Sequence, residues 1–276
     1  MLRRDPCGIT CIVFTYGLIF YADYVVISQI VMSSLEGSAW GVFHALCFNI
    51  LIFLQLFAHI RTVLSDPGTV PLPMTGLDFS DVHAQKTKHQ EEQALATDDW
   101  TVCQRCETYR PPRAHHCKIC RRCIRRMDHH CPWVNNCVGE SNQKYFIQFL
   151  FYTGILCAYA LSLDISSWVW MVKDTSTDES FANRQSAMAH SIALCIESIL
   201  FGLFVVAMFC DQMSSIFDDE TAVEHVINKR KPRPVRSRKP KMSLVREVFG
   251  YGPVYCWIFP CSGVNSRTQP SFSYDV

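Results

Sequence analysis

Four apolar stretches constrain this chain more than anything else in it. Pro6 to Leu35 carries one charge, Asp23; Gly37 to Ile60 carries none; Tyr145 to Val172 carries Asp164 alone; and Gln185 to Cys210 carries Glu197 alone. A hydrocarbon layer takes about 20 apolar residues of helix, so each stretch is long enough to cross one and too long for a core strand. Composition agrees: 49% of the 276 residues are hydrophobic and 18% charged, where soluble domains run nearer a quarter charged. No small-residue cleavage site follows a short apolar core in the first stretch, so it reads as a span rather than a cleaved signal. A net charge of +1 excludes a protein that coats nucleic acid.

The predicted organisation is a short N-terminus over residues 1–8, spans at 9–33, 39–62, 147–172 and 186–211, a linker at 63–99, a cysteine-rich domain at 100–146, a luminal loop at 173–185 and a tail at 212–276. Arg3 and Arg4 precede the first span, twelve Lys or Arg lie between Arg61 and Lys144, and ten follow Asp211. The connection from Lys173 to Arg184 holds two basic and three acidic residues. The positive-inside rule therefore puts both termini and the middle segment in the cytosol. Eight of the thirteen residues from Lys229 to Lys241 are basic, with Pro232, Pro234 and Pro240 excluding a helix. That strip suits anionic lipid headgroups. Asp23, Asp164 and Glu197 read as interfacial groups or polar contacts between helices, since no partner base is evident.

The middle segment opens with Asp66-Pro67-Gly68, a helix stop followed by turn chemistry. Seven of the fifteen cysteines then fall between Cys103 and Cys137. Cytosol is reducing, so these are thiols or metal ligands rather than a disulfide lattice. The spacing runs Cys103-x-x-Cys106, then Cys117-x-x-Cys120-x-x-Cys123, then Asp128-His129-His130-Cys131, then Cys137, with His115 and His116 between. A tight turn aims both sulfurs of a C-x-x-C at one metal, and structural zinc wants four S or N donors. Two Cys₃His sites use six cysteines and leave one over. Cys131 is the chemical lead, because a neighbouring imidazole can take a thiol's proton and a carboxylate can orient that imidazole. The competing reading, in which all four residues extend a zinc knuckle, leaves Asp128 without a role.

Cys103-x-x-Cys106, Arg110-Pro111-Pro112-Arg113, His115-His116-Cys117, Cys120, Cys123, Asp128-His129-His130-Cys131-Pro132-Trp133, Asn135-Asn136-Cys137-Val138-Gly139 and Asn142 together resemble the DHHC protein S-acyltransferase family, in its Golgi-associated branch. Asp66-Pro67-Gly68 and the order of two spans, cysteine-rich domain and two spans are similar as well. The resemblance implies an all-α integral membrane protein: four transmembrane helices with a cytosolic two-zinc cysteine-rich domain of short hairpins. It implies structural zinc on Cys103, Cys106, His116 and Cys123, and a second on Cys117, Cys120, His130 and Cys137. Cys131 would be the nucleophile, His129 its base and Asp128 the orienter of that base.

The implied activity is palmitoyl transfer from acyl-CoA to cysteines of peripheral and integral membrane proteins, through an acyl-enzyme, at the Golgi bilayer and with no nucleic acid involved. Arg110, Arg113, Lys118, Arg121, Arg122, Arg125 and Arg126 are candidates for the phosphates of coenzyme A. Leu156 lies about 16 Å of helix beyond Tyr145 and is the candidate floor of the acyl cavity. Two tail motifs depart from the family. A Thr-Thr-x-Glu reads Thr221-Ala222-Val223-Glu224, and an Asn expected five residues before Phe249-Gly250 is Leu244. These keep open an alternative: a catalytically weak or inactive DHHC-domain membrane adaptor.

Overall fold

The structure is a computed structural model that describes residues 5–72, 100–173, 181–229 and 239–260. The linker from 73 to 99, most of the basic strip and most of the connection after the third span lie outside the described residues. Helix α1 runs Pro6–Tyr24, passes through a π-helical stretch at Val25–Val31 and ends in a last turn at Met32–Ser34. Helix α2 spans Ala39–Leu64, α3 Gln143–Lys173 and α4 Phe181–Phe217. These four are long and apolar enough to cross a membrane. The π stretch is not legible in the sequence, because a Val/Ile-rich run reads the same whether its bonds close at i+4 or i+5.

Strands β1 (Thr101–Cys103) and β2 (Thr108–Arg110), β3 (His115–Cys117) and β4 (Arg122–Ile124), and β5 (His129–Cys131) and β6 (Asn136–Val138) form three antiparallel hairpins. Short helices α5 (Ala222–Asn228), α6 (Lys241–Phe249) and α7 (Tyr255–Ile258) follow α4. The chain divides into two compact units, one drawn from Met1–Cys11, Ile60–Phe146 and Met213–Val276, the other from Ile12–His59 and Ile147–Gln212.

The described residues of the second unit are helical apart from the turn at 35–38. Val25, Val26, Phe48, Ile52, Leu156, Ala160 and Leu194 form its core, while Val13, Trp40 and Leu203 remain about two-thirds exposed. Large apolar side chains on the outside suit a hydrocarbon solvent and would be costly in water. Polar side chains join the helices inside. Gln55 donates to Thr153 at 2.9 Å, Tyr21 hydroxyl and His190 Nδ1 lie 3.0 Å apart, and Ser191 donates to buried Asp164. Asp164 is thus a helix-to-helix contact, as its place in an apolar span led us to expect.

The first unit holds everything with reactive chemistry. Asp66 closes an Asx turn by accepting from the N–H groups of Gly68 (2.8 Å) and Thr69 (2.6 Å). The chain after it lies against β4: Val70 N–H donates to Cys123 O and Arg125 N–H to Gly68 O, both at 2.8 Å. Asn136 Nδ2 reaches the carbonyls of Thr62, Val63 and Ser65 at 2.9–3.3 Å. It thereby satisfies carbonyl oxygens that the end of α2 would otherwise leave bare. Asn142 accepts from Gly139 N–H and donates to Cys137 O, fixing the turn into α3.

Candidate active site and metal centres

Strand geometry explains how two metal clusters interleave. Successive side chains of a strand point to opposite faces. In β3, His116 pairs across the hairpin with Cys123 and joins Cys103 and Cys106. Its neighbour Cys117 points the other way and joins Cys120, His130 and Cys137. In each C-x-x-C turn the residue after the second cysteine, Glu107 or Arg121, is left-handed (φ 48° and 52°), which folds the chain back so that both sulfurs face inward.

The donor atoms of each set lie within 4.8 Å of one another. In the first, His116 Nδ1 is 3.6 Å from Cys103 Sγ, 3.2 Å from Cys106 Sγ and 3.9 Å from Cys123 Sγ. In the second, His130 Nδ1 is 3.7, 3.4 and 3.7 Å from the sulfurs of Cys117, Cys120 and Cys137. A tetrahedron with Zn–S of about 2.3 Å and Zn–N of about 2.0 Å has S···N edges near 3.6 Å and S···S edges near 3.8 Å. Cys120 and Cys137 are 3.5 Å apart, and Cys123 and Cys106 3.8 Å. Both donor sets therefore fit zinc in size and in chemistry. Hydrogen bonds to Cys117 and then Cys120 push the His130 pKa up to about 10, so this nitrogen favours a positive charge, which a bound zinc ion would supply.

The same alternation in β5 separates adjacent residues. His130 faces Cys137 across the hairpin, whereas His129 and Cys131 project from the opposite side. His129 Nδ1 is 2.7 Å from Asp128 Oδ2, and the ring packs edge-on against Phe146 with centroids 5.4 Å apart. Burial works against a charged His129, but the hydrogen bond to Asp128 and then the influence of Cys131 outweigh it and lift its pKa to about 9. Cys131 and Asp128 are buried. After Cys131 the chain makes a 3₁₀ turn, Pro132–Val134, that ends on left-handed Asn135 (φ 46°). Asp128, His129 and Cys131 thus meet on one side of the hairpin, while His130 and Cys137 turn to the second metal set on the other.

The tail braces this site. Thr221 caps α5 in a reciprocal capping box with Glu224. The next residue, Ala222, donates its backbone N–H to Asp128 Oδ1 at 2.8 Å. The missing threonine side chain is therefore not needed for that bond, since any residue but proline supplies an N–H. Proline is tolerated at the first helical position, so Ala222→Pro removes the donor while sparing α5. A hydrogen bond to a charged group contributes about 1.5–3 kcal/mol. We expect acyl-enzyme formation to slow by about tenfold with metal content unchanged; single-turnover labelling beside elemental analysis checks this. Leu244, where the family has asparagine, is buried with Val248 on one face of α6, so apolar packing replaces a polar tie.

The arginines divide. Arg113 is bidentate to Glu224 at 2.7 and 2.9 Å and also binds Asp219 at 2.7 Å. Arg125 pairs with Glu140 at 2.8 Å, Arg126 with Glu247 and Asp219, Arg110 donates to Thr101, and Arg122 to Val70 O. Of the six, Arg121 is the exposed one. The sequence does not reveal the Arg113–Asp219–Glu224 cluster, because Arg113 stands more than a hundred residues from both carboxylates. Arg113→Ala leaves Glu224 uncompensated, and Asp219 with Arg126 alone, in a nearly buried site. We expect a loss of about 3 kcal/mol or more, read as a lowered thermal midpoint and as proteolysis near Asp219.

Leu156 lies in the helical unit, buried in its core. A nearby apolar groove between α3 and α4 is lined instead by Leu150, Gly154, Ala158, Val205 and Phe209.

Comparisons with known proteins agree with this chemistry. The profile of the DHHC palmitoyltransferase family matches residues 96–229, which hold both metal clusters, Cys131 and the Thr221–Glu224 brace. The chain is similar to Palmitoyltransferase ZDHHC7 of Mus musculus, 36% identical over 96% of this chain and 82% of that protein. It is also similar to Palmitoyltransferase ZDHHC3 of Rattus norvegicus, 35% identical over 99% of this chain and 87% of that one. The human ZDHHC3 protein is 34% identical over the same shares. With likeness along nearly the whole length and the motif residues assembled in space, the chain belongs to the DHHC palmitoyltransferase family.

Proposed function

We propose that this protein is a protein S-palmitoyltransferase that carries the acyl group on Cys131. The observation that carries the reading is the His129 ring, held through Nδ1 by Asp128 at 2.7 Å, with Nε2 buried and left without a hydrogen-bond partner and Cys131 two residues on along the same strand. Asp128 fixes the tautomer, so Nε2 is the atom that takes the thiol proton. A ring that holds a proton near neutral pH is then ready to return it to the departing coenzyme A sulfur. In the second half the incoming protein thiol gives its proton to the same nitrogen. Exchange of one thioester for another is near balance, so the gain lies in activation and positioning. Zinc, held by the two Cys₃His sets, would lock the hairpins that present this face; the reaction uses the Asp128, His129 and Cys131 atoms.

Palmitoyl-CoA is the donor that fits the reading. Burying its chain gains roughly 0.8 kcal/mol per methylene. For the phosphates we propose Arg121 with Lys118, because the other five arginines have protein partners. Substrates are membrane-associated proteins with cytosolic cysteines. The resemblance to the Golgi-associated branch supports a Golgi location, and the charge distribution supports cytosolic termini.

Along α3, Leu156 is about 16 Å past Tyr145, close to the reach of a sixteen-carbon chain. We expect Leu156→Trp to shift acyl-CoA competition toward shorter chains; an unchanged profile would exclude Leu156 from the cavity. The activity itself is tested by incubating the purified chain with labelled palmitoyl-CoA. A hydroxylamine-sensitive adduct on Cys131 that moves to a protein thiol is expected, and no adduct on metal-replete protein would leave the adaptor reading.

A further inference from the structure

Two cysteines of α1 have no part in the chemistry above. Cys7 and Cys11 stand four residues apart, neighbours on one helix face, close enough for Cys7 to act electrostatically on the Cys11 thiol. Cys7 is exposed and Cys11 half-buried. The same two turns lie against the catalytic hairpin. Asp5 Oδ2 is 3.9 Å from His130 Nε2. A Cβ on Gly8 would fall 2.4 Å from Asn135 Oδ1, so the helix backbone abuts the loop that follows Cys131. His130 and Asn135 flank Cys131 in sequence, and residue 11 is one helical step beyond residue 8 on the same side. Cys11 accordingly lies within electrostatic range of Cys131.

We propose that the Cys7–Cys11 pair is an internal acyl acceptor, taking the palmitoyl group from Cys131 of the same chain. The inference rests on the proposed acyl-enzyme. The acceptor sulfur attacks the Cys131 thioester carbonyl. A new carbon–sulfur bond forms as the one to Cys131 breaks, and the acceptor's proton passes through His129 to the Cys131 sulfur. One thioester and one thiol are present before and after, so no further reactant is needed beyond the acyl-CoA that loaded Cys131. Because Cys7 and Cys11 are neighbours on one helix face, the chain can settle on either. A cysteine at the first turns of a membrane-length helix is also the chemical setting in which S-acylation places a fatty chain directly into lipid.

The test loads the full chain with alkyne-tagged palmitoyl-CoA, removes the donor and maps hydroxylamine-sensitive label by mass spectrometry. Wild type is expected to carry label on Cys131 and on Cys7 or Cys11. Cys7→Ser/Cys11→Ser is expected to keep the Cys131 label and to lose about half of the total. Cys131→Ser is expected to carry none, also when mixed with wild type. Label on Cys7 or Cys11 of a Cys131→Ser chain overturns the transfer, since it then comes from coenzyme A or from another copy. Label on wild-type Cys131 alone overturns the inference and leaves the acyltransferase reading standing, whereas no label on Cys131 overturns both.

Discussion

Cys131→Ser is expected to abolish the acyl-enzyme while two metal ions per chain remain. Serine preserves the size of the side chain, and neither metal set uses Cys131. The hairpin register of β5 on β6, with His130 opposite Cys137, is set by backbone bonds and by the metal donors. What changes is the proposed nucleophile. An alcohol is hardly ionised near neutral pH, and a base that activates a thiol has far more to do for a hydroxyl. Loss of a nucleophile from a coupled set typically costs on the order of 10⁴-fold or more. Labelling with palmitoyl-CoA and metal analysis on the same sample separate chemistry from folding. Transfer by the serine variant to a protein thiol would remove Cys131 from the mechanism.

The parts legible in the sequence are those set by local repetition. Four runs of apolar residues announce four helices because hydrocarbon demands an uninterrupted run. The two C-x-x-C pairs announce metal because the spacing itself makes the turn. Which histidine belongs to which cluster was implied by family resemblance, and the strands now supply a physical reason in the alternation of His116 with Cys117 and of His129 with His130. Illegible were contacts between distant segments. Arg113 stood as a candidate for phosphate, yet its partners are Asp219 and Glu224. Ala222 looked like a lost contact, but its bond to Asp128 uses the main chain, which substitution tables do not see. Gly8 gave no signal, because a glycine in an apolar run announces neither a turn nor the neighbour that forbids a side chain there.

The two adjacent histidines are expected to part company. His130→Ala should lose about one metal ion per chain, because His130 Nδ1 stands 3.4–3.7 Å from three sulfurs and nothing adjacent replaces it. Metal binding and folding are one equilibrium in such small hairpin domains, so activity should vanish through unfolding. Cys120→Ala should behave the same way. His129→Ala removes a ring on the opposite side of β5 and should keep both metals, since its partners are Asp128 and Phe146. Acyl-enzyme formation should then slow by roughly 10²–10⁴-fold, the range of general-base assistance. Elemental analysis and single-turnover labelling of both variants give the answer. Metal loss from His129→Ala with retention in His130→Ala would reverse the assignment. Metal loss from both would mean that the strand does not hold the two residues on separate faces.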